Sequence, residues 1–178
     1  MRWSLLFLIL GVFAPACQPA SSDGSAAERR AEVTIRSLIA AYESGDAELI
    51  EDLFWPHATY DDYPNQVTYQ GLDEIVGYVT AVHDWGDDVY MNIGRIHATE
   101  GVAVAEWVFS AVQNRPMGTL VPVATGLEVL LNVVTIIEME GDRILRAADY
   151  ADITPMMLQL GGRIELPGGA VLESGAGR

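Results

Sequence analysis

The chain has 178 residues, about one domain's worth, and half of them are hydrophobic, so a core of ordinary size can form. Its formal net charge is −15 at pH 7, and so acidic a surface repels nucleic acid and anionic lipid, which excludes an electrostatic nucleic-acid partner. All ten basic residues are arginine, which excludes lysine chemistry such as a Schiff base or a phosphate-loop lysine.

The first 16 residues are predicted to be a signal peptide. Trp3–Phe13 is an apolar run without charge, too short to span a bilayer in comfort and typical of a signal's hydrophobic region. Cys17, the only cysteine, follows small residues. This resembles a bacterial lipoprotein signal, which implies a lipidated Cys17 and an anchor in the cell envelope. Because Gln18 is not aspartate, the resemblance favours the outer membrane, facing the periplasm. The alternative is ordinary cleavage after Ala16 and a secreted protein.

The rest of the chain divides into a tether, one domain and a tail. Residues 17–26 comprise the cysteine and a segment rich in Pro, Ser, Gly and Ala, which predicts a flexible tether. Residues 27–161 carry nearly all of the periodic apolar segments and are predicted to form a single domain. Residues 162–178 contain several glycines and are predicted to be a flexible C-terminal tail.

Apolar residues at helical spacing predict the helices. In the first helix, Ile35, Leu38, Ile39 and Tyr42 fall on one face, which is predicted to pack inward. Asp46 is a suitable N-cap for the second helix. The predicted helical segments are Ala26–Ser44, Ala47–Phe54, Asp73–His83 and a last turn at Pro155–Leu160.

Period-two and β-branched segments predict the strands. The strongest signal is Leu127–Met139, joined to its partner strand by a turn in which Gly141 can adopt positive φ. A buried helix remains the alternative for this segment, because a continuous apolar run does not show its period. A Pro/Gly loop at Arg115–Gly126 is predicted to lie over one end of the sheet. The predicted strands are His57–Asp62, Val89–Thr99, Val102–Asn114, Leu127–Met139 and Arg143–Asp152.

This order of elements predicts an α+β fold with helices on one side of an antiparallel sheet. With it, several short motifs resemble the SnoaL-like superfamily, which is related to nuclear transport factor 2 and the ketosteroid isomerases. The resemblance implies a cone, in which a curved antiparallel sheet wraps round N-terminal helices and encloses an apolar pocket. It does not fix one activity, since this fold serves cyclases, isomerases, dehydratases, epoxide hydrolases and binding proteins. The motifs are Ala41-Tyr42, Gly45-Asp46, Leu53–Ala58, Tyr69–Gly71, Gly141–Ile144, Asp149–Asp152 and Gln159–Gly161.

Asp149 is the first candidate catalytic residue. The resemblance implies that an aspartate on the last strand points into the cone, and Asp149 occupies that position. Strand alternation places Ala147 and Ala151 beside it, which leaves room for a ligand. Desolvation in such a place would raise its pKa and suit a general acid or base. The alternative is that Asp149 only accepts hydrogen bonds from backbone or a tyrosine at the strand end.

Tyr60 and Asp62 are the other candidate catalytic residues, because alternation places them on one face of the His57–Asp62 strand. A tyrosine with two carboxylates can polarise a carbonyl group and move a proton. The alternative interpretation is a polar pocket rim.

The predicted apolar wall of the ligand pocket comes from the two central strands. It consists of Trp107, Phe109, Leu131, Val133 and Thr135. In the epoxide hydrolases of this superfamily an arginine and a second aspartate stand where Trp107 and Phe109 align, so the resemblance does not extend to that activity.

No metal site and no cofactor are predicted. His57, His83 and His97 do not have the spacing of a zinc site, and the chain has neither a nucleotide fingerprint nor a nucleophile elbow.

Three functions remain open on the sequence. The first is binding of a small apolar molecule in the cone pocket. The second is a cofactor-independent isomerase, cyclase or dehydratase, with Asp149 as general acid or base and Tyr60 as polariser. The third is a homodimer or another partner contact through the exposed sheet face, which carries Glu106, Val108, Asn132 and Val134.

Overall fold

The computed structural model describes residues 22–174. The signal peptide, Cys17 and its lipidation therefore lie outside the described residues. Within that part of the chain, no helix is both long enough and apolar enough to cross a membrane. The helices are α1 (Ser22–Ser44), α2 (Ala47–Leu53), α3 (Leu72–Thr80), α4 (Val82–Trp85) and α5 (Thr154–Gln159).

Six strands form one curved sheet in the order β2-β1-β6-β5-β4-β3, and two short ones form a separate ribbon. The predicted α+β class is confirmed, with N-terminal helices packed against the sheet. The strands are β1 (Phe54–Asp62), β2 (Val67–Gln70), β3 (Gly86–Thr99), β4 (Val102–Gln113), β5 (Glu128–Glu140), β6 (Arg143–Ala151), β7 (Arg163–Glu165) and β8 (Val171–Glu173).

The sheet is mixed, not wholly antiparallel as predicted. Strand β1 runs parallel to β6, while the other neighbouring pairs are antiparallel. Tight turns force consecutive strands to pair antiparallel, but the chain between β1 and β6 passes through most of the domain, so no turn fixes their direction. The parallel register places Asp62 opposite Asp149 and Tyr60 opposite Ala147.

The β5–β6 hairpin forms as predicted, so the helical alternative for its first strand is wrong. Gly141 has a φ of +67°, the left-handed conformation that the turn requires. This hairpin is the centre of the sheet, since β6 also pairs with β1 and β5 also pairs with β4.

Two element boundaries at the N-terminal side differ from the prediction. Helix α1 begins at Ser22, inside the predicted tether, because extending a formed helix adds a hydrogen bond for each residue that is fixed. Strand β1 begins at Phe54, the last residue of the predicted second helix, and Pro56 lies within this strand. The pairing of β1 with β6 shifts register between Phe54 and Thr59, and a proline is tolerated at such an irregularity.

The predicted flexible tail contains a short hairpin within the described residues. Strands β7 and β8 pair antiparallel, with Gly168 and Gly169 at positive φ in the turn between them. Two glycines that can adopt positive φ favour a tight turn between strands. On composition alone, the same glycines indicate only flexibility.

The core lies between α1 and the sheet. The inward face of α1 is buried as predicted, with Ile35 and Leu38 fully enclosed and Tyr42 almost so. Helix α2 begins with Asp46, whose carboxylate accepts a hydrogen bond from the Leu49 N–H at 3.0 Å. These contacts hold Tyr42 at the end of α1 against the interior of the cone.

Candidate functional site

A cavity of about 480 Å³ opens between the helices and the inner face of the sheet. Trp107 and Phe109 of β4 line it, with Leu131 and Val133 of β5 beside them, so four of the five predicted wall residues lie where the sequence placed them. Thr135 does not reach the cavity surface and is fully buried next to Asp149.

Asp149 lies at the polar end of this cavity and is only 5% exposed. It stands on β6 opposite Thr135 of β5 and opposite Asp62 of β1. One carboxylate oxygen, Oδ1, accepts a hydrogen bond from the Thr135 hydroxyl at 2.5 Å. The other, Oδ2, accepts hydrogen bonds from the hydroxyls of Tyr42 and Tyr78, each at 2.9 Å.

The number of hydrogens in this network fixes the direction of its hydrogen bonds. The Trp107 indole N–H can only donate, and it donates to the Thr135 hydroxyl at 2.9 Å, so Thr135 is left with its own hydrogen for Asp149. The Tyr42 and Tyr60 hydroxyl oxygens lie 2.9 Å apart. When Tyr42 donates its single hydrogen to Asp149, Tyr60 donates to Tyr42. The donors therefore point toward Asp149 and suit an ionised carboxylate.

Burial acts against that ionised form. Desolvation is the largest influence on Asp149 and raises the pKa of its carboxyl, while the hydrogen bonds from Thr135, Tyr42 and Tyr78 lower that pKa without cancelling the rise. The site thus holds an acid whose pKa lies above the usual range and whose protonation is balanced between two opposing effects.

The three tyrosines remain protonated donors. Burial raises the pKa of Tyr42, Tyr60 and Tyr78, and the negative charge of Asp149 raises each of them further. Their rings pack edge to face, with the centroid of Tyr60 lying 5.0 Å from that of Tyr78 and the centroid of Tyr42 lying 6.1 Å from that of Tyr78. This packing fixes the hydroxyl positions around the carboxylate.

Asp62 lies on the cavity wall and is 2% exposed. Its Oδ2 accepts a hydrogen bond from the Asn65 side-chain amide at 2.7 Å, and its Oδ1 accepts one from the Asn65 backbone N–H at 3.2 Å. Asp62 therefore closes the β1–β2 turn and contributes a second carboxylate to the cavity.

The predicted catalytic residues come together, but they differ in access to a ligand. Asp149 and Asp62 line the cavity, whereas Tyr60 is fully buried behind Tyr42 and does not line it. Two tyrosines that line the cavity donate to Asp149, namely Tyr42 of α1 and Tyr78 of α3.

Sequence reasoning missed Tyr78 and assigned Tyr42 only to the core. Both tyrosines stand on helices that pack against the sheet, and both line the cavity. A tyrosine on the inward face of a helix needs a hydrogen-bond partner when it is buried. That requirement was the available signal, and Asp149 is the partner that satisfies it.

Methionines from three parts of the chain line the cavity, and none was predicted. Met117 comes from the β4–β5 loop, while Met156 and Met157 come from α5. Met91 of β3 adds a fourth. Unbranched, polarisable side chains adapt to ligands of different shape, so this part of the wall is the adaptable one.

The β4–β5 loop, which was predicted to lie over one end of the sheet, forms part of the cavity wall, and the buried Gln113 side chain holds it there. The Gln113 amide nitrogen donates to the carbonyl oxygens of Arg115 and Val123, at 2.6 and 2.9 Å. The Gln113 amide oxygen accepts hydrogen bonds from the Thr125 backbone N–H and hydroxyl, each at 2.6 Å. Between these anchors the loop contributes Met117 and Leu120 to the cavity.

No group of three metal-ligating side chains occurs within residues 22–174. One of the three histidines, His83, has its ring Nε2 at 3.0 Å from the Tyr42 carbonyl oxygen. The cavity lining contains no histidine among its described residues.

This architecture is shared with a known protein family. A family model described as a SnoaL-like domain matches residues 35–147. No curated protein matches the chain closely in sequence.

Three solved structures illustrate the range of proteins that share the fold. A candidate SnoaL-like polyketide cyclase from Jannaschia sp. CCS1 has a TM-score of 0.68 at 13% identity, covering 80% of this chain and 96% of the other. A protein from Catenulispora acidiphila DSM 44928 with a ketosteroid isomerase-like fold, solved in complex with trimethylamine, has a TM-score of 0.60 at 17% identity, covering 71% and 90%. An LEH-like epoxide hydrolase from M. tuberculosis has a TM-score of 0.58 at 16% identity, covering 78% of this chain and 91% of the other.

At these identities the structures share the fold and do not decide the activity. The family model covers more than half of the chain, from α1 to residue 147, so it includes the cavity walls of β4 and β5 and ends just before Asp149. The chain belongs to the SnoaL-like family.

Proposed function

We propose that the domain binds a small, mainly apolar molecule in the cone cavity. The observation that carries the proposal is a cavity of about 480 Å³ with an apolar wall and one polar end, formed by Asp149 and its hydroxyl donors. Ligand sites of about 300–1,000 Å³ commonly combine such a wall with a few polar groups that fix orientation.

A cavity-filling variant tests this proposal. Ala151 lines the cavity, so Ala151→Leu occupies ligand space, whereas Ala124→Leu makes the same change at an exposed loop position. Ligands from an apolar fragment screen, detected through tryptophan fluorescence, are expected to lose about tenfold or more in affinity in the first variant only. Equal affinities for both variants would place binding elsewhere and contradict the proposal.

Proton-transfer catalysis is the second candidate, favoured by the raised pKa of a buried acid beside tyrosine hydroxyls. Asp149 is its general acid or base, and Tyr78, which lines the cavity, polarises a substrate carbonyl with Tyr60 and Tyr42 behind it. General acid–base catalysis contributes about 10²–10⁴-fold. Asp149→Asn is expected to remove turnover of a bound carbonyl compound, while the affinity for that compound changes little. Unchanged turnover in this variant would exclude Asp149 as the general acid or base.

The proposed location is the cell envelope, with the domain tethered through a lipidated Cys17. The support is the apolar run before that cysteine and the fact that it is the only one in the sequence. A Cys17→Ser protein is expected to leave the membrane fraction, because a cysteine thiol carries the lipid. If that variant still partitions with membrane, the lipid-anchor proposal is wrong.

A homodimer through the outer sheet face is a further proposal. Glu106 and Asn132 are exposed there, while Val108 and Val134 are half-buried. Sedimentation velocity over a wide range of concentration is expected to show a dimer that Val108→Arg dissociates. A monomer at every concentration would contradict it.

A further inference from the structure

We propose that the ligand of the cavity is an organic cation, an amine or quaternary ammonium compound whose charged group lies beside Asp149 and Asp62 among aromatic rings. This inference rests on the proposed function, because it names the chemical class of the molecule that the same cavity binds.

The charges that line the cavity all have one sign. Asp149 and Asp62 are the titratable carboxylates there, and the described lining residues include no arginine and no histidine. The parallel register of β1 and β6 places the two aspartates directly opposite each other on adjacent strands. Of the two arginines on β6, Arg146 contacts Asp61 at 2.6 Å and Glu138 at 2.8 Å, while Arg143 lies over the Trp55 ring, 5.6 Å from its centroid. The protein therefore supplies no counter-charge to this pair from within the cavity.

The contacts of the two aspartates are hydrogen bonds from neutral groups. Thr135, Tyr42 and Tyr78 donate to Asp149, and Asn65 donates to Asp62. Such donors stabilise a carboxylate without neutralising it, and the cost of burying the charge remains. A cation in the cavity offsets that cost, whereas a neutral ligand that displaces water increases it.

Aromatic rings form much of the remaining wall. A cation is attracted to the face of an aromatic ring within about 6 Å of its centroid, and this attraction is larger where water is excluded. The methionines of the cavity wall add apolar, polarisable surface for the uncharged part of the molecule. The aromatic lining residues are Tyr42, Tyr69, Tyr78, Trp85, Trp107 and Phe109.

The charge of the whole chain acts in the same direction. A formal charge of −15 attracts cations and repels anions during diffusional encounter. Because this general effect does not depend on the cavity, the experiment must separate it from local recognition.

Three probes of nearly equal shape test the proposal: choline, the uncharged 3,3-dimethylbutan-1-ol, and the anion 3,3-dimethylbutanoate. Binding of each to the domain is measured by NMR titration at pH 7.5 and about 0.15 M NaCl. Choline is expected to bind at least about tenfold more tightly than the alcohol, and the anion most weakly. The preference is expected to fall several-fold in Asp149→Asn and in Asp62→Asn.

Glu106→Gln is the control, since it removes one negative charge from the exposed outer face and is expected to leave the preference unchanged. Two aspartate variants are used so that a folding defect in one leaves the other informative. If the alcohol binds as tightly as choline, or if Glu106→Gln reduces the preference as much as Asp149→Asn, the cation proposal is overturned while cavity binding stands. If none of the three probes binds at millimolar concentration, the cation proposal is overturned, and the comparison of Ala151→Leu with Ala124→Leu still decides whether the cavity binds an apolar molecule.

Discussion

Asp149 shows at the scale of one residue how burial and hydrogen bonding oppose each other. Its carboxyl is almost fully enclosed, which favours the neutral form, and three hydroxyl groups donate to it, which favours the ionised form. Burial is the larger effect, so the pKa lies above the usual range. A carboxyl held in this state can change protonation when a ligand enters the cavity.

Asp149→Asn is expected to change how the free energy of unfolding depends on pH. Because the folded-state pKa of Asp149 is raised above the unfolded value of about 3.9, the folded protein binds more protons between those two values. The contribution of Asp149 to the free energy of unfolding is therefore present at low pH, and it is lost as pH rises through the folded-state pKa.

Urea denaturation of the wild type and Asp149→Asn at pH 4 to 8 measures this effect. The variant is expected to gain stability relative to the wild type as pH rises, by about 1.4 kcal/mol for each unit by which the pKa is raised. Other titrating groups cancel in the difference. A difference that stays constant across this range would contradict the raised pKa.

Thr135→Val is expected to destabilise the fold by about 1–3 kcal/mol, although the two side chains have nearly the same shape. The change removes the acceptor for the Trp107 indole N–H and the donor to Asp149 Oδ1, leaving buried polar groups unpaired. Thermal and urea denaturation measure it. Thr99→Val, at an exposed end of β3, is the control and is expected to change stability by less than about 0.5 kcal/mol. Equal effects at the two positions would exclude a special role for the network.

At the scale of secondary-structure elements, local signals in the sequence predicted most of the fold. The β5–β6 hairpin follows from β-branched residues and a glycine turn, and Asp46 marks the start of α2. The parallel pairing of β1 with β6 was not predicted, because it joins segments far apart in the chain and no local pattern encodes it. The short strand β2 was missed for a different reason: it has only four residues, most of them exposed, so its alternation is too short to stand out.

The same distinction applies to the candidate site. Asp149 was assigned to the pocket by the family resemblance, whereas Asp62 was placed by strand alternation; both line the cavity, as do four of the five predicted wall residues of β4 and β5. Tyr42 and Tyr78 reach the site from helices, and their approach to Asp149 depends on how those helices pack on the sheet. How a helix packs on a sheet depends on contacts between segments far apart in the chain, and local sequence patterns do not predict it.

Gln113→Ala is expected to loosen the β4–β5 loop and to destabilise the fold by about 2–4 kcal/mol. The fully buried amide makes four hydrogen bonds to the loop, and its removal leaves the Thr125 N–H and two carbonyl groups without that partner. Hydrogen exchange at Thr125 and urea denaturation measure the two effects.

The matched control for that experiment is Asn114→Ala. Asn114 is the next residue along the chain and is exposed, and its side chain donates to Asp87 at 2.9 Å. Its removal is expected to change stability by less than about 1 kcal/mol. Faster exchange at Thr125 in both variants would show that the loop is not held mainly by Gln113.

At the scale of the whole molecule, charge is the dominant feature. The sequence has 25 acidic residues against ten arginines, and most described salt bridges lie at exposed or half-exposed side chains, where each contributes little. Repulsion among the excess acids therefore opposes the compact state.

Raising NaCl from about 0.02 M to about 0.3 M is expected to increase the melting temperature by a few degrees. Added salt shortens the Debye length and screens the repulsion between acidic side chains. It also weakens the salt bridges, but most of these are exposed and contribute little to stability. Differential scanning calorimetry measures the change, with an equal osmolality of sucrose as the control for non-ionic effects. A melting temperature that falls with salt would indicate that ion pairs outweigh the repulsion.

Asp149 is a desolvated acid at the polar end of the cone cavity. A carbon-detected NMR titration of its carboxyl, assigned by comparison with Asp149→Asn, tests this most directly and needs no ligand. The predicted result is a pKa clearly above the model-peptide value of about 3.9. A pKa at or below that value would mean that solvent or the hydroxyl donors dominate, and would contradict the account of the site.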